Sequence, residues 1–454
     1  MPPSPNEAPR TPPRTAGPPE TAEGAAPVGA RSLLALAGPV LRPALDLYLE
    51  VHARPELSGR EAATADRFAR RLADAGCAVT QGVGGHGVVG VLRNGAGPRV
   101  WLRAELDALP VRERTGLPYA ARGEAMHACG HDLHLAAAAG AADLLARLRH
   151  RWRGTLVVVG QPAEETLAGA EAMLRDGLYE RFGRPGAVLA QHAAPLPSGT
   201  VAHGTGDSPM AAAAAVLDVV VHGRGGHAAT PHLTADPVVA AAAAVTRLQG
   251  LVSRGAPPAE QVTLTVGTLR AGTAANVVPE SAALGVGVRA SSGAALERAV
   301  AEVRRIVLAE SAAVGAPREP EITVVSRSAA LRCDPATTEE VRRVHAELLG
   351  SGRVLAWPGS MAAEDFPLFG DAGETLHGQR GVPLAYWMLG VVGPEEWRRT
   401  APGGPDAGSP PVTNHSPYFA PHVGSALRPA IAAAAAAVLD RFARLPQREA
   451  RPVP

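Results

Sequence analysis

The sequence predicts an α/β protein with a mostly parallel sheet and a smaller α+β domain inserted into it. Three observations predict this class. Short apolar runs alternate with helix-spaced segments between 98 and 191, the pattern of strands buried on both faces by crossover helices. Between about 213 and 327 the order changes to β-α-β-β-α-β, a unit complete in itself. Signals of the first kind then resume, so the first domain is discontinuous.

In chain order, 98–106 (PRVWLRAEL) reads as a buried strand that gives way to a loop at Asp107. Residues 132–149 are rich in Ala and Leu at helical spacing. A second strand, Thr155–Gly160, ends at Gln161-Pro162, and a short helix covers 169–176. A third strand, Ala187–Gln191, is expected to end at His192. In the inserted unit, Val216–Val221 is a strand, and Asp236-Pro237 supply the cap and first position of a helix to about Ser253. Strands Val262–Arg270 and Ala282–Arg289, a helix over 294–314 and a strand Ile322–Ser326 complete it. Leu384–Val391 (strand) and 425–443 (Ala-rich helix) belong to the first domain again. The predicted division is a tail at 1–28, a discontinuous main domain at 29–212 and 328–446, and an insertion at 213–327.

Composition sets the frame for function. A chain of 454 residues is too long for one ordinary core, and 46% hydrophobic residues are ample for burial. No apolar stretch combines the length and the Leu, Ile and Phe content of a spanning helix, which predicts no membrane partner. A net charge of +1 gives no basis for a nucleic-acid partner. Three cysteines do not make a disulfide framework. The Pro- and Ala-rich first 28 residues read as a disordered tail without the apolar run of a secretory signal, so a cytoplasmic location is expected.

The chemistry-bearing residues gather where strands end. They are Cys129 and His131 in MHACGHDLH, Glu164 and Glu165 in GQPAEE, His192 in LAQHAAP, and His415 in TNHSPYF. Singly, each has an ordinary reading: a buried thiol beside a turn histidine, a solvated helix start, a satisfied core imidazole. Together they offer a thiolate, imidazoles and carboxylates for two divalent cations, with one carboxylate left to handle protons. That equipment activates water against an amide. Ligand groups in parallel sheets collect beyond the carboxyl ends of the strands. A serine-hydrolase elbow, G-x-S-x-G, does not occur.

The ordered series VHARPELSGRE (51–61), LRAELDALPV (102–111), MHACGHDLH (126–134), QPAEE (161–165), GRGGHAATPH (223–232), NVVPESA (276–282), MAAEDF (361–366) and NHSPYF (414–419) resembles the amidohydrolase branch of the aminoacylase and carboxypeptidase metallopeptidases. That branch includes hippurate hydrolases and plant indoleacetyl-amino acid hydrolases. The resemblance implies that Cys129, His131, Glu165, His192 and His415 hold two divalent metal ions, zinc or manganese or else cobalt, with Cys129 between them. A thiolate in that position suits soft or borderline metals. It implies Glu164 as general base and Asp107 as the acidic residue that orients a ligand. His227 corresponds to a lid histidine that stabilises the oxyanion, often in a neighbouring subunit's site, and Asn276 to a lid residue that donates to substrate. Arg289 is either a clamp for the substrate carboxylate or a solvated strand residue. The insertion is then a lid and dimerisation domain, and the protein a homodimer.

Two positions depart from the family pattern. Glu105 stands where Asp is usual, and Thr166-Leu167 where glycines usually follow the paired glutamates. The implied activity is metal-dependent hydrolysis of N-acyl amino acids or related small amides. The alternatives are a dipeptidase or aminobenzoyl-glutamate-type hydrolase and, in another class, a binding relative without turnover.

Overall fold

The structure is a computed structural model that describes residues 30–206, 208–400 and 403–446. The tail expected at 1–28 lies outside the described residues. The chain enters through helices α1 (Gly38–His52) and α2 (Ala62–Asp74). It then lays down strands β1 (Ala78–Val83), β2 (Gly87–Asn94) and β3 (Arg99–Glu105). Helix α3 (His131–Arg147) follows, then β4 (Gly154–Gln161), β5 (Ala187–Pro197) and β6 (Val201–Gly204). The third predicted strand is corrected here. It does not stop at His192 but continues to Pro197, because its neighbour on the carboxyl side of the chain keeps pairing with it.

The next segment forms strands β7 (Ala213–His222), β8 (Gly226–His227), β9 (Val262–Ala271), β10 (Val277–Val278), β11 (Ser281–Ala290) and β12 (Glu321–Ser328), with helices α4 (Pro237–Gly250) and α5 (Gly293–Ala313). Asp236 caps α4 by accepting from Val238 N at 2.8 Å. The helix expected to reach Ser253 ends at Gly250, and Leu251–Gly255 widens into a π-type turn. Four of the strands form an antiparallel sheet in the order β12-β7-β11-β9. Alternate residues of β7 and β11, among them Leu217, Val219, Val286 and Val288, bury against Ala241, Leu248, Val303 and Val307 of the two helices. That is a core of its own. The outgoing and returning chains pair antiparallel at Ala211 and Leu331.

The last elements are α6 (Pro335–Leu349), β13 (Val354–Trp357), β14 (Leu384–Val392) and α7 (Val423–Arg444). Strands from both sides of the insertion make one eight-stranded sheet, β1-β2-β4-β3-β5-β14-β6-β13. It is parallel through its centre, β4-β3-β5-β14, and antiparallel at β1-β2-β4 and β14-β6. By length and composition α7 could cross a membrane, a length the chain reaches with alanine. Every residue from Ala430 to Val438 is buried in the protein core. Its approach to α3 requires a glycine, since a Cβ on Gly140 would lie 2.6 Å from Ile431 Cδ1. This packing fixes α3, and with it the residues at its amino end.

Candidate metal centre

Each donor is placed by a local feature of the chain. Gly130, with φ 84°, turns the backbone into α3, and a Cβ there would stand 2.8 Å from Ala193 Cβ. Cys129 and His131 therefore flank a sharp corner. Glu164 and Glu165 sit in the loop after β4, and His192 lies within β5, opposite Met388 of β14. His415 is anchored through its N–H to Ala128 O at 2.8 Å. Beside it, Asn414 Nδ2 donates to Ala193 O at 3.1 Å and to Cys129 O at 3.3 Å. Among the described residues, the non-glycine residues with positive φ are Ala163, Leu167 and His415, and all three flank this centre. A left-handed backbone costs an ordinary residue about 1–2 kcal/mol, and such strain concentrates at functional sites.

The side chains form two trios that share one sulfur. Cys129, His131 and His192 bring ligand atoms within 4.8 Å of one another, and so do Cys129, Glu165 and His415. Cys129 Sγ is 3.4 Å from His192 Nε2, and Glu165 Oε2 is 3.5 Å from His415 Nε2. Glu164 is in neither trio, although with His131 and Glu165 it forms a third cluster. Asp107 orients the set. Its carbonyl and Oδ1 accept from His131 Nδ1 at 2.9 and 3.2 Å, and its Oδ2 accepts from Glu165 N at 2.9 Å and Ser58 Oγ at 2.7 Å. His131 Nε2 is left buried without a hydrogen-bond partner, as is Glu165 Oε1. Buried polar atoms are normally satisfied. Orphaned atoms on a carboxylate-held histidine and on its neighbouring glutamate fit a metal ion.

The charges are uneven. Burial, then the Glu364, Glu165 and Asp365 carboxylates, hold Glu164 well above the usual carboxylate range. Burial and the Glu165 charge push the Cys129 thiol up to about 12, and burial with His134 nearby pushes His192 down to about 3. Behind the donors lies a buried network centred on Arg103. It donates to Gln161 Oε1 at 2.8 Å, Glu364 Oε1 at 2.9 Å and Asp365 Oδ1 at 3.0 Å, and also to Glu105. Glu105 Oε2 in turn accepts from His134 Nδ1 at 2.8 Å, and His134 Nε2 accepts from Ala193 N at 2.8 Å. The departure at Glu105 thus holds the backbone next to His192. Sequence reasoning quoted Arg103, His134, Glu364 and Asp365 within motifs but gave them no role. Adjacent acids in the otherwise apolar MAAEDF were the available signal.

A cavity of about 790 Å³ opens over the centre. Cys129, Glu164, Glu165, His192 and His415 line it, and Arg289 enters from β11 while donating to Met361 O at 2.6 Å. His227 and Asn276 are not brought to it. They sit on the exposed β8–β10 ribbon, where His227 pairs with Val277 and Asn276 O accepts from Ala228 N at 3.1 Å.

The profile of peptidase family M20/M25/M40 matches residues 101–402. The chain belongs to peptidase family M20/M25/M40. It is 39% identical over 243 residues to a hippurate hydrolase of Campylobacter jejuni, a match spanning 53% of this chain and 62% of that protein. An N-acetylcysteine deacetylase of Bacillus subtilis is 30% identical over 375 residues, 79% of this chain and 90% of the relative. An IAA-amino acid hydrolase of Arabidopsis thaliana is 35% identical over 338 residues, 72% and 74% of the two chains. In three dimensions it is similar to a dinuclear metal binding peptidase of Bacillus subtilis, with a TM-score of 0.68 and 26% identity over 88% of this chain and 99% of that one. M20 membership and the two trios sharing Cys129 agree on a centre for two divalent metal ions. The chain is thereby a metal-dependent amide hydrolase.

Proposed function

We propose that this M20 hydrolase cleaves the amide bond of N-acyl amino acids. The observation that carries the reading is Glu164. It is a buried carboxylate outside both Cys129 trios, its Oε2 3.8 Å from His131 Nε2, and it faces the cavity that also holds Arg289. Cys129, His131, Glu165, His192 and His415 are the ligands in this reading, and zinc, manganese or cobalt suits their mixed sulfur, nitrogen and oxygen donors. Bound divalent cations supply Lewis acidity toward the scissile carbonyl and lower the pKa of water. Glu164 accepts the proton of the attacking water and returns it to the leaving amine. Asp107 holds His131 and the Glu165 backbone in place. Arg289 receives the amino acid carboxylate in its planar fork.

Residues 213–327 act as an inserted lid and dimerisation domain, with the catalytic domain at 29–212 and 328–446. His227 and Asn276, remote from the cavity of their own chain, then serve the site of a second copy in a homodimer. The names of the relatives support amide cleavage of this kind. The test is turnover of N-benzoylglycine, N-acetylcysteine, an indoleacetyl-amino acid and a dipeptide by protein stripped with a chelator and reloaded with zinc, manganese or cobalt. Release of free acid and amino acid that vanishes on stripping and returns on reloading is expected. Cleavage of the dipeptide with none of the acylated substrates would contradict the reading.

A further inference from the structure

Leu167 keeps an unfavourable backbone without contributing to a core. Its φ is 57°, a region that leucine occupies only when its surroundings impose it. The imposition is visible. Leu167 N donates to Glu164 O at 2.7 Å, and Ala168 N and Gly169 N both donate to Ala163 O at 3.1 Å, so the loop is pinned on both sides. The side chain is half-buried and joins none of the apolar clusters of the described residues. It lines the cavity instead, together with Met210, Val216, Trp357 and Met388. Trp357 and Met388 are held from behind by packing on the core beneath the sheet.

An N-acyl amino acid presents one anion and one acyl end. Arg289 is the one arginine or lysine among the described residues lining the cavity, which commits it to the carboxylate. The apolar side chains are left for the acyl group. We propose that Leu167 is a specificity-determining residue, whose isobutyl group completes with Trp357 and Met388 a wall that favours apolar acyl groups of benzoyl size over acetyl. This inference rests on the N-acyl amino acid reading above.

Two substitutions separate the side chain from the loop. Leu167→Asn keeps a similar size and tolerates positive φ, so it removes apolarity alone. Leu167→Gly keeps the backbone and removes the side chain. Each is made in the otherwise unchanged protein and in Glu164→Gln protein, whose hydrolysis is expected to be slow enough for substrate binding to be read. The kcat/KM ratio of N-benzoylglycine to N-acetylglycine is measured in the first set, and the ratio of Kd values by calorimetry in the second, both with metal loaded and metal content assayed. Both variants are expected to lower the preference for benzoyl by about 10-fold, the scale of a lost apolar contact in a pocket, with two metals per chain retained. Unchanged preference overturns the proposal. An equal loss on both substrates, or loss of metal in both variants, also overturns it, because Leu167 would then be only a brace for the glutamate loop. If the unsubstituted chain hydrolyses neither compound, the functional reading fails, yet the Kd ratio still decides on Leu167. A fall upholds its role, and no change, or no binding, ends it.

Discussion

Asp107 and Cys129 show how a few side chains assemble the centre. Asp107 satisfies Ser58, His131 and the Glu165 backbone at once, so it ties α3, the β4 loop and the loop after α1 to one point. Cys129 is the one cysteine in the clusters of potential metal donors among the described residues. Cys77 is buried elsewhere in the main core, and Cys333 lies against the core on the other face of the sheet. Cys129→Ala is therefore expected to reduce bound metal below one ion per trio, measured by elemental analysis, while Cys77→Ser and Cys333→Ser leave metal content alone. Two retained metals in Cys129→Ala would remove the thiolate from the ligand set. The candidate donors Cys129, His131, Glu164, Glu165, His192 and His415 stood out in the sequence because they cluster where strands end, while their division into ligands and base, and the role of Asp107, came from the family resemblance. Glu105, His134, Glu364 and Asp365 were not. Their roles arise from contacts 29 residues apart for Glu105–His134 and 261 or more apart for Arg103 with Glu364 and Asp365, which local pattern does not encode.

Among the elements, alternation and capping located the longer strands and helices between 98 and 328 but not the short strands β6, β8 and β10, and Asp236 caps α4 as its position predicts. The end of β5 was misplaced because a histidine and two alanines carry no strong strand propensity, and pairing with β14 overrides that. Helices α1, α2 and α6 went unassigned between motifs. Helix α6 carries a further consequence. His345 bridges it to α7 through Ala433 O at 3.1 Å and meets His203 at 3.0 Å, all buried. Burial pushes His345 down to about 4, and burial with His345 beside it lowers His203. Both imidazoles thus bind protons more weakly folded than unfolded. Their contribution to stability is present above the unfolded value of about 6.5 and is lost as pH falls toward about 4. Urea midpoints of metal-free protein between pH 7 and 5 are expected to fall more steeply in the unsubstituted chain than in His345→Gln. Parallel slopes would show that this pair does not titrate with unfolding.

At the scale of the whole molecule, the sequence order required a discontinuous first domain, and the eight-stranded sheet does draw strands from both sides of the insertion. What the sequence could not place was the β8–β10 ribbon relative to the cavity, since that depends on how the inserted unit is set on the two connecting segments that meet at Ala211 and Leu331. His227 stands outside the cavity of its own chain, so His227→Ala is expected to lower the rate far more than metal content. Mixing it with Glu164→Gln protein, after subunit exchange has been demonstrated, is expected to restore turnover through sites that combine an intact base with an intact ribbon. No recovery despite exchange would confine each site to one chain. The central claim is that Glu164 moves the proton at a centre it does not ligate. Its most direct test is metal content and N-acyl amino acid hydrolysis measured on the same preparation of Glu164→Gln. Two metals per chain with turnover reduced by a factor of about 10² to 10⁴ or more is the predicted result, whereas near-normal turnover at full metal content would contradict it.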